Sequence, residues 1–486
     1  MTQSSSYFNY VVNTILLFGI ILTANSQLEN ANWYFGNQAA IDFNDGTSAP
    51  TSLSNSAMNT IAGSATVSDV FGDLLFYTNG NEVWTKDHQF MKGGMGLLFG
   101  NPVVSQSVVI IPNPDNLDKY YIFTNEAFET GSHGLSYSVI DMSAQLGLGA
   151  VEEIGINEPV LTYSSEKLTA IFNPTDRSYW VISFAPSIDP THSDTFYAFK
   201  IDAAGVNLVN QSTFSFLPEV VNHRGGQMKI SPDGTSLAMV HNTVEEISGT
   251  IVGLENIFSF DFDMATGVVS SIRTYTLNDV LYCYGLEFSP DSDKFFISSS
   301  HRISDGASEN FIHQIYYRNA PPLYIVNQTV AFSELAIYSL QLALDGNIYA
   351  ANNAGDLDLL SNVNGLSQEV DFEGDIINLT GLATKGLPQL VPYDYLPGSK
   401  PSSNTKKYSV LGNPFHNDLN IKFHAENKYT TQLFDMYGKQ VICEDYDITT
   451  VGETKNIETG NLSSGIYKLI IKDLYNKEYN ATVLKK

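Results

Sequence analysis

The sequence predicts an all-β protein: a β-propeller, seven blades favoured over six, followed by a small C-terminal β-sandwich. Three observations predict it. Short apolar runs split by Asn/Pro/Asp/Gly turns recur along most of the chain, a second strand signature recurs at a fixed interval, and no stretch keeps the 3.6-residue apolar period of a helical repeat.

The clearest copy of the unit is residues 228–241, MKISPDGTSLAMVH. Two β-tolerant runs flank Pro232-Asp233-Gly234, which supplies the fixed φ, the Asx side-chain bond and the φ > 0 position that a hairpin turn needs. Residues 286–300 and 340–352 repeat it, so that Asp233, Asp291 and Asp345 follow one another at steps of 58 and 54. Upstream, residues 65–80, 108–125 and 170–184 keep the same order of apolar run, turn and aromatic-rich run. The second signature is an alternating strand ending in Asp141, Asp202 or Asp263, each 61 residues from the next and each before a Gly-containing turn. These read as third strands of four-stranded blades.

The ends of this region supply the closure. Residues 386–395, GLPQLVPYDY, read as a seventh innermost strand with no hairpin partner after it, and residues 32–37 and 39–46 near the start match second and third strands. A ring closed by both chain ends hides the strand edges that an open one would expose.

Residues 10–24 form an apolar run of signal-peptide length, with Ala24-Asn25-Ser26 before an expected cleavage at Gln27. The run is short for a membrane span and lacks flanking charge. The expected organisation is therefore signal peptide 1–26, propeller 27–395, linker 396–402 and tail 403–486, and no transmembrane segment is expected in the mature protein. The boundary at 396–402 is a Pro/Gly-rich polar stretch without periodicity.

Composition sets further limits. The two cysteines, Cys283 and Cys443, make neither a disulfide framework nor a metal site. Of the net charge of −27, residues 403–486 carry 11 lysines against 10 acidic residues, so the acidity belongs to the propeller. Such a field argues against nucleic acid or anionic lipid as partner. No cofactor or metal is called for. Asp42-Phe43-Asn44-Asp45-Gly46 has the opening of a calcium loop but not its later ligands, and reads as a turn.

The tail alternates apolar positions, as at Leu419, Ile421 and Phe423, in the manner of strands buried on one face. Its motifs are Asn413-Pro414-Phe415, a turn at Asp435-Met436-Tyr437-Gly438, Leu462-Ser463-Ser464-Gly465-Ile466-Tyr467 and the terminal Lys485-Lys486. In these it resembles the type A C-terminal sorting domain of type IX secretion cargo from Bacteroidetes. The resemblance implies passage through the periplasm and across the outer membrane by the type IX machinery, then surface attachment or release. Asn413, Pro414, Gly438, Gly465, Tyr467, Lys485 and Lys486 would carry the signal. The start of the propeller, Trp33-Tyr34-Phe35-Gly36, Gly72-Asp73-Leu74-Leu75-Phe76-Tyr77 and Val83-Trp84, resembles an N-terminal module of secreted Bacteroidetes surface proteins.

In a propeller, loops joining second to third strands and those joining blades share one face. The first kind is expected at 185–195 with His192, at 241–256 with His241 and Glu245, and at 299–310 with His301, Arg302 and Asp305. The second kind adds Glu166, Lys167, His223, Arg224, Tyr282 and Tyr284. Long loops on one rim of a rigid scaffold are where function sits. The expected function is recognition of a glycan or protein ligand by this rim; the alternative is a hydrolase or lyase acting on extracellular polysaccharide. No metal-ligand spacing and no Gly-x-Ser-x-Gly elbow occurs to support catalysis, and no catalytic residue is assigned.

Overall fold

The computed structural model describes residues 28–43, 50–69, 72–126, 133–188, 193–214, 225–247, 250–277, 280–302, 308–318, 327–333, 335–352, 355–392, 408–411, 415–423, 427–435, 439–450, 452–473 and 478–486. The chain divides into two compact units that part between Pro401 and Ser402.

Among the described residues of the first unit, seven antiparallel sheets follow one another in chain order. Blade 1 holds Asn32–Phe35, Ala39–Asp42 and Thr51–Ser52; blade 2 holds Ala65–Ser68, Leu74–Thr78 and Val83–Thr85. Blade 3 runs through Val108–Pro112, Lys119–Glu126, Gly134–Asp141 and Ala150–Val151, with Glu158–Leu161 also on its third strand. Four strands each make up blade 4 (Leu168–Asn173 to Gly205–Thr213), blade 5 (Met228–Ile230 to Val268–Tyr275), blade 6 (Val280–Phe288 to Asn327–Ser333) and blade 7 (Ile337–Leu342 to Asp371–Ile377).

The hairpin turns form for the reason the sequence suggests. Asp233 Oδ1 accepts from Thr235 N at 3.1 Å and from Ser231 Oγ at 2.7 Å, while Gly234 takes φ 70°. The Asp345 turn repeats this with Asn347 N at 3.0 Å and Gly346 at φ 82°. At the Asp291 turn Ser292 occupies the left-handed position, φ 60°, which glycine fills in the other two.

The inner strands, and much of the second strands beside them, bury both faces, so successive residues serve different neighbours. Val108 and Ile110 pack against blade 2, whereas Val109 and Ile111 pack against blade 4. Ile171 joins Met228 and Leu237 between blades 4 and 5; Ala238 and Val240 join Leu286 and Ile297 between blades 5 and 6. Phe296 and Ile312 meet Leu340 and Ile348 between blades 6 and 7.

Blade 1 completes the circle. Trp33 and Phe35 pack on Tyr349, Ala351 and Leu357 of blade 7, and Tyr34, pointing the other way, stacks on Tyr77 of blade 2 at 4.3 Å. Tyr77 in turn stacks on Trp84 at 5.5 Å. The aromatic residues of the N-terminal resemblance are thus the two sides of one joint.

The expected inner strand at 386–395 does not form over its described part, 386–392. Pro388 and Pro392 lack the N–H a ladder needs. The segment instead crosses the axis. Lys385 N donates to Ile61 O and Gln389 N to Ser64 O, at 2.9 and 2.8 Å, both in the approach to blade 2. The Gln389 amide donates to Leu168 O of blade 4, and Val391 O accepts from Asn30 Nδ2 at 2.9 Å. Leu387 and Leu390 sit in the cluster of Trp33. Closure by both chain ends is present, made by packing and scattered hydrogen bonds.

The second unit has two sheets around one core. Tyr408–Leu411, Asp418–Phe423 and Thr454–Glu458 form one; Gln440–Ile448, Asn427–Phe434, Gly465–Asp473 and Glu478–Lys485 form the other. Leu419, Ile421 and Phe423 from the first meet Tyr429, Leu433 and Leu469 from the second, all buried.

Candidate ligand-binding mouth

Hydrogen bonds tie the lead-ins of the inner strands, and the first residues of those strands, to one another around the axis. Ser339 N donates to Lys385 O (3.2 Å), Lys385 N to Ile61 O (2.9 Å) and Ala62 N to Pro102 O (2.9 Å). Ser105 N donates to Glu166 Oε2 at 2.8 Å, Lys167 Nζ to Gly225 O and Gly226 O at 2.7 Å each, and Gln227 N to Tyr284 O at 2.8 Å. Ser298 Oγ to Tyr338 O, 2.7 Å, links blade 6 back to blade 7. Gly225 and Gly226, at φ 45° and 94°, permit the chain to turn both carbonyls onto the lysine.

Below this ring the axis is filled. Gln106 reaches from blade 3 past blade 4 to Met228, its Nε2 donating to O at 2.9 Å and its Oε1 accepting from N at 2.8 Å. Gln227 Oε1 accepts from Leu286 N and Leu340 N, at 3.0 and 3.1 Å. Deeper still, Lys229 Nζ lies 3.1 Å from Glu287 Oε2 and donates to Gln341 Oε1 at 2.6 Å. These three, with Leu390 and Pro392 of the crossing segment, border a cavity of ≈ 30 Å³, room for about two waters. Side-chain amides satisfy inner-strand backbone groups that have no ladder partner, and they close the channel to anything larger.

The ring region also sets unusual electrostatics. Burial pushes the Lys167 ammonium down to about 8, with nearby Glu166 opposing the shift. Burial, and then the Glu166 charge, hold the Tyr284 phenol well above its ordinary range. Tyr282 is pushed up to about 12 by burial and by Tyr338, to which it is hydrogen bonded. Tyr284 meets Tyr338 edge to face at 5.4 Å, and Lys385 Nζ stands over the Tyr338 ring at 5.2 Å.

Of the predicted rim residues, the structure brings Tyr282 and Tyr284 together here, beside Glu166 and Lys167. His241 is elsewhere in kind. It lies in the strand Ser236–Ile247, 2% exposed and edge-on to Phe184 at 5.4 Å, so it is part of the packing between blades 4 and 5. The expected loop at 241–256 is a continuous hairpin in which His241 pairs with Asn256 and Ile247 with Thr250. Its alternation of apolar and polar residues suits a strand as well as a loop. Backbone at Glu245, His301 and Arg302 is likewise in strands, Ser236–Ile247 and Lys294–Arg302. His192, His223, Arg224 and Asp305 lie outside the described residues, as do Asn44 and Asp45 of the calcium-like run.

Sequence reasoning passed over Ser105, Gln106, Gln227, Tyr338 and Lys385. A signal existed: polar side chains stand just before the inner strands of blades 3, 4 and 5, at Gln106, Lys167 and Gln227.

In the tail, Asn413, Pro414 and Gly438 are outside the described residues. Tyr467 is buried and donates to Ser463 O at 2.7 Å. It stands in the strand that Gly465 opens. The chain terminus is anchored: Lys486 N donates to Phe415 O at 2.9 Å, and Lys485 Nζ donates to His416 O while standing over the Phe415 ring at 5.8 Å.

Residues 409–485 match the family described as the secretion system C-terminal sorting domain. No curated protein matches the chain. Among solved structures, hydrazine synthase of Kuenenia stuttgartiensis aligns at TM-score 0.38 and 12% identity, over 81% of this chain and 92% of that one. A candidate 6-phosphogluconolactonase of Bacteroides fragilis gives 0.43 and 13%, over 74% and 97%, and the xyloglucan PUL GH43B protein of Bacteroides ovatus 0.27 and 14%, over 78% and 89%. Similarity at this level says nothing about activity, and the propeller assignment rests on the sheet order and the closed circuit of inter-blade cores. The described residues hold no helix long and apolar enough to cross a membrane. The tail is a type IX sorting domain, and the protein that carries it is exported, to the cell surface or beyond it.

Proposed function

We propose that the propeller is a ligand-binding module delivered to the cell exterior by its tail, and that the mouth defined by the lead-in ring recognises a glycan or protein ligand. One observation carries this reading. Apolar side chains stand in solvent on four of the lead-ins, Ile61 at 49%, Val103 at 49%, Tyr163 at 38% and Leu335 at 38% exposed, around partly buried tyrosines and above a channel closed by its own side chains. Exposed apolar groups gathered on one face mark interaction sites. A closed channel favours a ligand laid across the mouth over one drawn inside.

The test is binding by the purified protein to a glycan array and to a displayed peptide library, beside a reducing-end release assay on the same polysaccharides. Binding that weakens on Tyr284→Ala, with the melting temperature held, supports the reading. Release of reducing ends would replace it with the hydrolase alternative, and affinity unchanged by Tyr284→Ala would move the site off this mouth.

A further inference from the structure

We infer that the ligand of the mouth is a protein segment presenting a basic side chain between apolar ones. This rests on the reading just given and narrows it. Three features favour a peptide over a sugar.

The first is the kind of apolar surface. Sugars stack their C–H faces on exposed aromatic planes, but Tyr284 and Tyr338 are set edge to face against each other, and Tyr282 is hydrogen bonded to Tyr338 and to Ser300. What the rim offers outward is mainly aliphatic: Ile61, Val103 and Leu335, with Leu382 at 52% exposed in the stretch between blade 7 and Lys385. Aliphatic area of this kind is covered by apolar side chains of a partner protein.

The second feature is the cation already seated there. Lys385, exposed, holds its ammonium 5.2 Å from the Tyr338 ring centre, which demonstrates that this aromatic group accepts a positive charge. Glu166, half-exposed beside Tyr284, adds a carboxylate whose Oε2 is fixed by Ser105 N. An arginine that takes the place of Lys385 over Tyr338 would meet the same ring face, with the Glu166 carboxylate beside the neighbouring Tyr284.

The third is the surrounding field. With residues 403–486 slightly basic and the whole chain at −27, the propeller is strongly acidic, so it draws a cationic segment and repels an anionic one. Neutral glycans gain nothing from this field.

The experiment uses the full chain against arrayed 12-residue peptides in which arginine is flanked by leucine or phenylalanine, with glutamate-for-arginine copies and a glycan array alongside. The expected result is binding of the arginine set, lost in the glutamate set, weakened about tenfold by Glu166→Gln or Tyr338→Leu and weakened further by salt. Val103→Ser, at a half-exposed position, should weaken it too. Equal affinity for the two peptide sets, or arginine-peptide binding untouched by all three variants, overturns the inference. Glycan binding that is lost in Tyr338→Leu also overturns it, while leaving the mouth as the binding site. If none of the three variants alters binding of any ligand, the broader reading falls with it.

Discussion

Trp33→Ala tests the ring closure where it depends on noncovalent contact. Blade 1 comes from the start of the chain and blade 7 from the end of the propeller, so their interface is held by packing, by the reciprocal backbone hydrogen bonds of Asn37 and Leu382 at 2.9 Å, and by the crossing segment. Trp33 is fully buried there, 5.1 Å from Phe43 and 5.8 Å edge-on from Tyr349, with its indole N–H donating to Asn30 O at 3.1 Å. Truncating a buried Trp to Ala costs about 3–5 kcal/mol through lost transfer energy and the cavity left behind. Trp180→Ala removes an equally buried indole, bonded to Met264 O at 2.9 Å, from the joint between blades 4 and 5, which the chain itself also connects. Both variants should therefore lose comparable global stability in urea titrations. They should differ in hydrogen exchange. Trp33→Ala should raise exchange in 32–42 and 382–392 ahead of the remaining blades, because the seam opens before the ring melts. A loss below about 1 kcal/mol, far short of the cavity cost, or the same exchange pattern in both variants, would refute the closure described here.

Lys167→Met should change the pH dependence of stability. The ammonium is near pH 8 in the folded protein against 10.5 unfolded, so between these values the unfolded chain binds the extra proton and this group's cost to folding shrinks as pH rises. Wild type should gain about 2 kcal/mol on the variant between pH 7.5 and 9.5 in paired urea melts, a span over which tyrosine effects cancel in the difference; a flat difference would remove the shift. Glu287→Ala leaves Lys229 charged in the closed channel with only Gln341 and should cost about 3–5 kcal/mol by the same assay, whereas a cost under about 1 kcal/mol would mean the channel is wetter than described. Deleting residues 403–486 should leave near-ultraviolet circular dichroism of the propeller intact and stop export in the native host; arrival of the truncated protein at the cell surface would count against the sorting role of the tail.

The fold was legible in the sequence because its determinants are local. An Asp/Gly turn between two apolar runs requires nothing beyond a few neighbouring residues, and Asp233, Asp291 and Asp345 take the hairpin roles their spacing suggests. The sorting tail was legible for the same reason, as several short motifs in order. Alternation within strands was visible too, but not which neighbour each face would meet.

Tertiary structure decided what local pattern leaves open. Residues 386–392 carry the apolar character of an inner strand, yet two prolines and the convergence of seven blades turn them into a crossing segment. His241 reads as a loop residue beside Glu245, until the ladder running from Ser236 to Ile247 carries it into the core. The mouth itself is written in no single stretch, since Ile61, Val103, Glu166, Tyr284, Tyr338 and Lys385 come from six separate segments and share a face only after the ring closes. Hydrogen-bond and packing partners hundreds of residues apart are set by closure, and closure is a property of the whole chain.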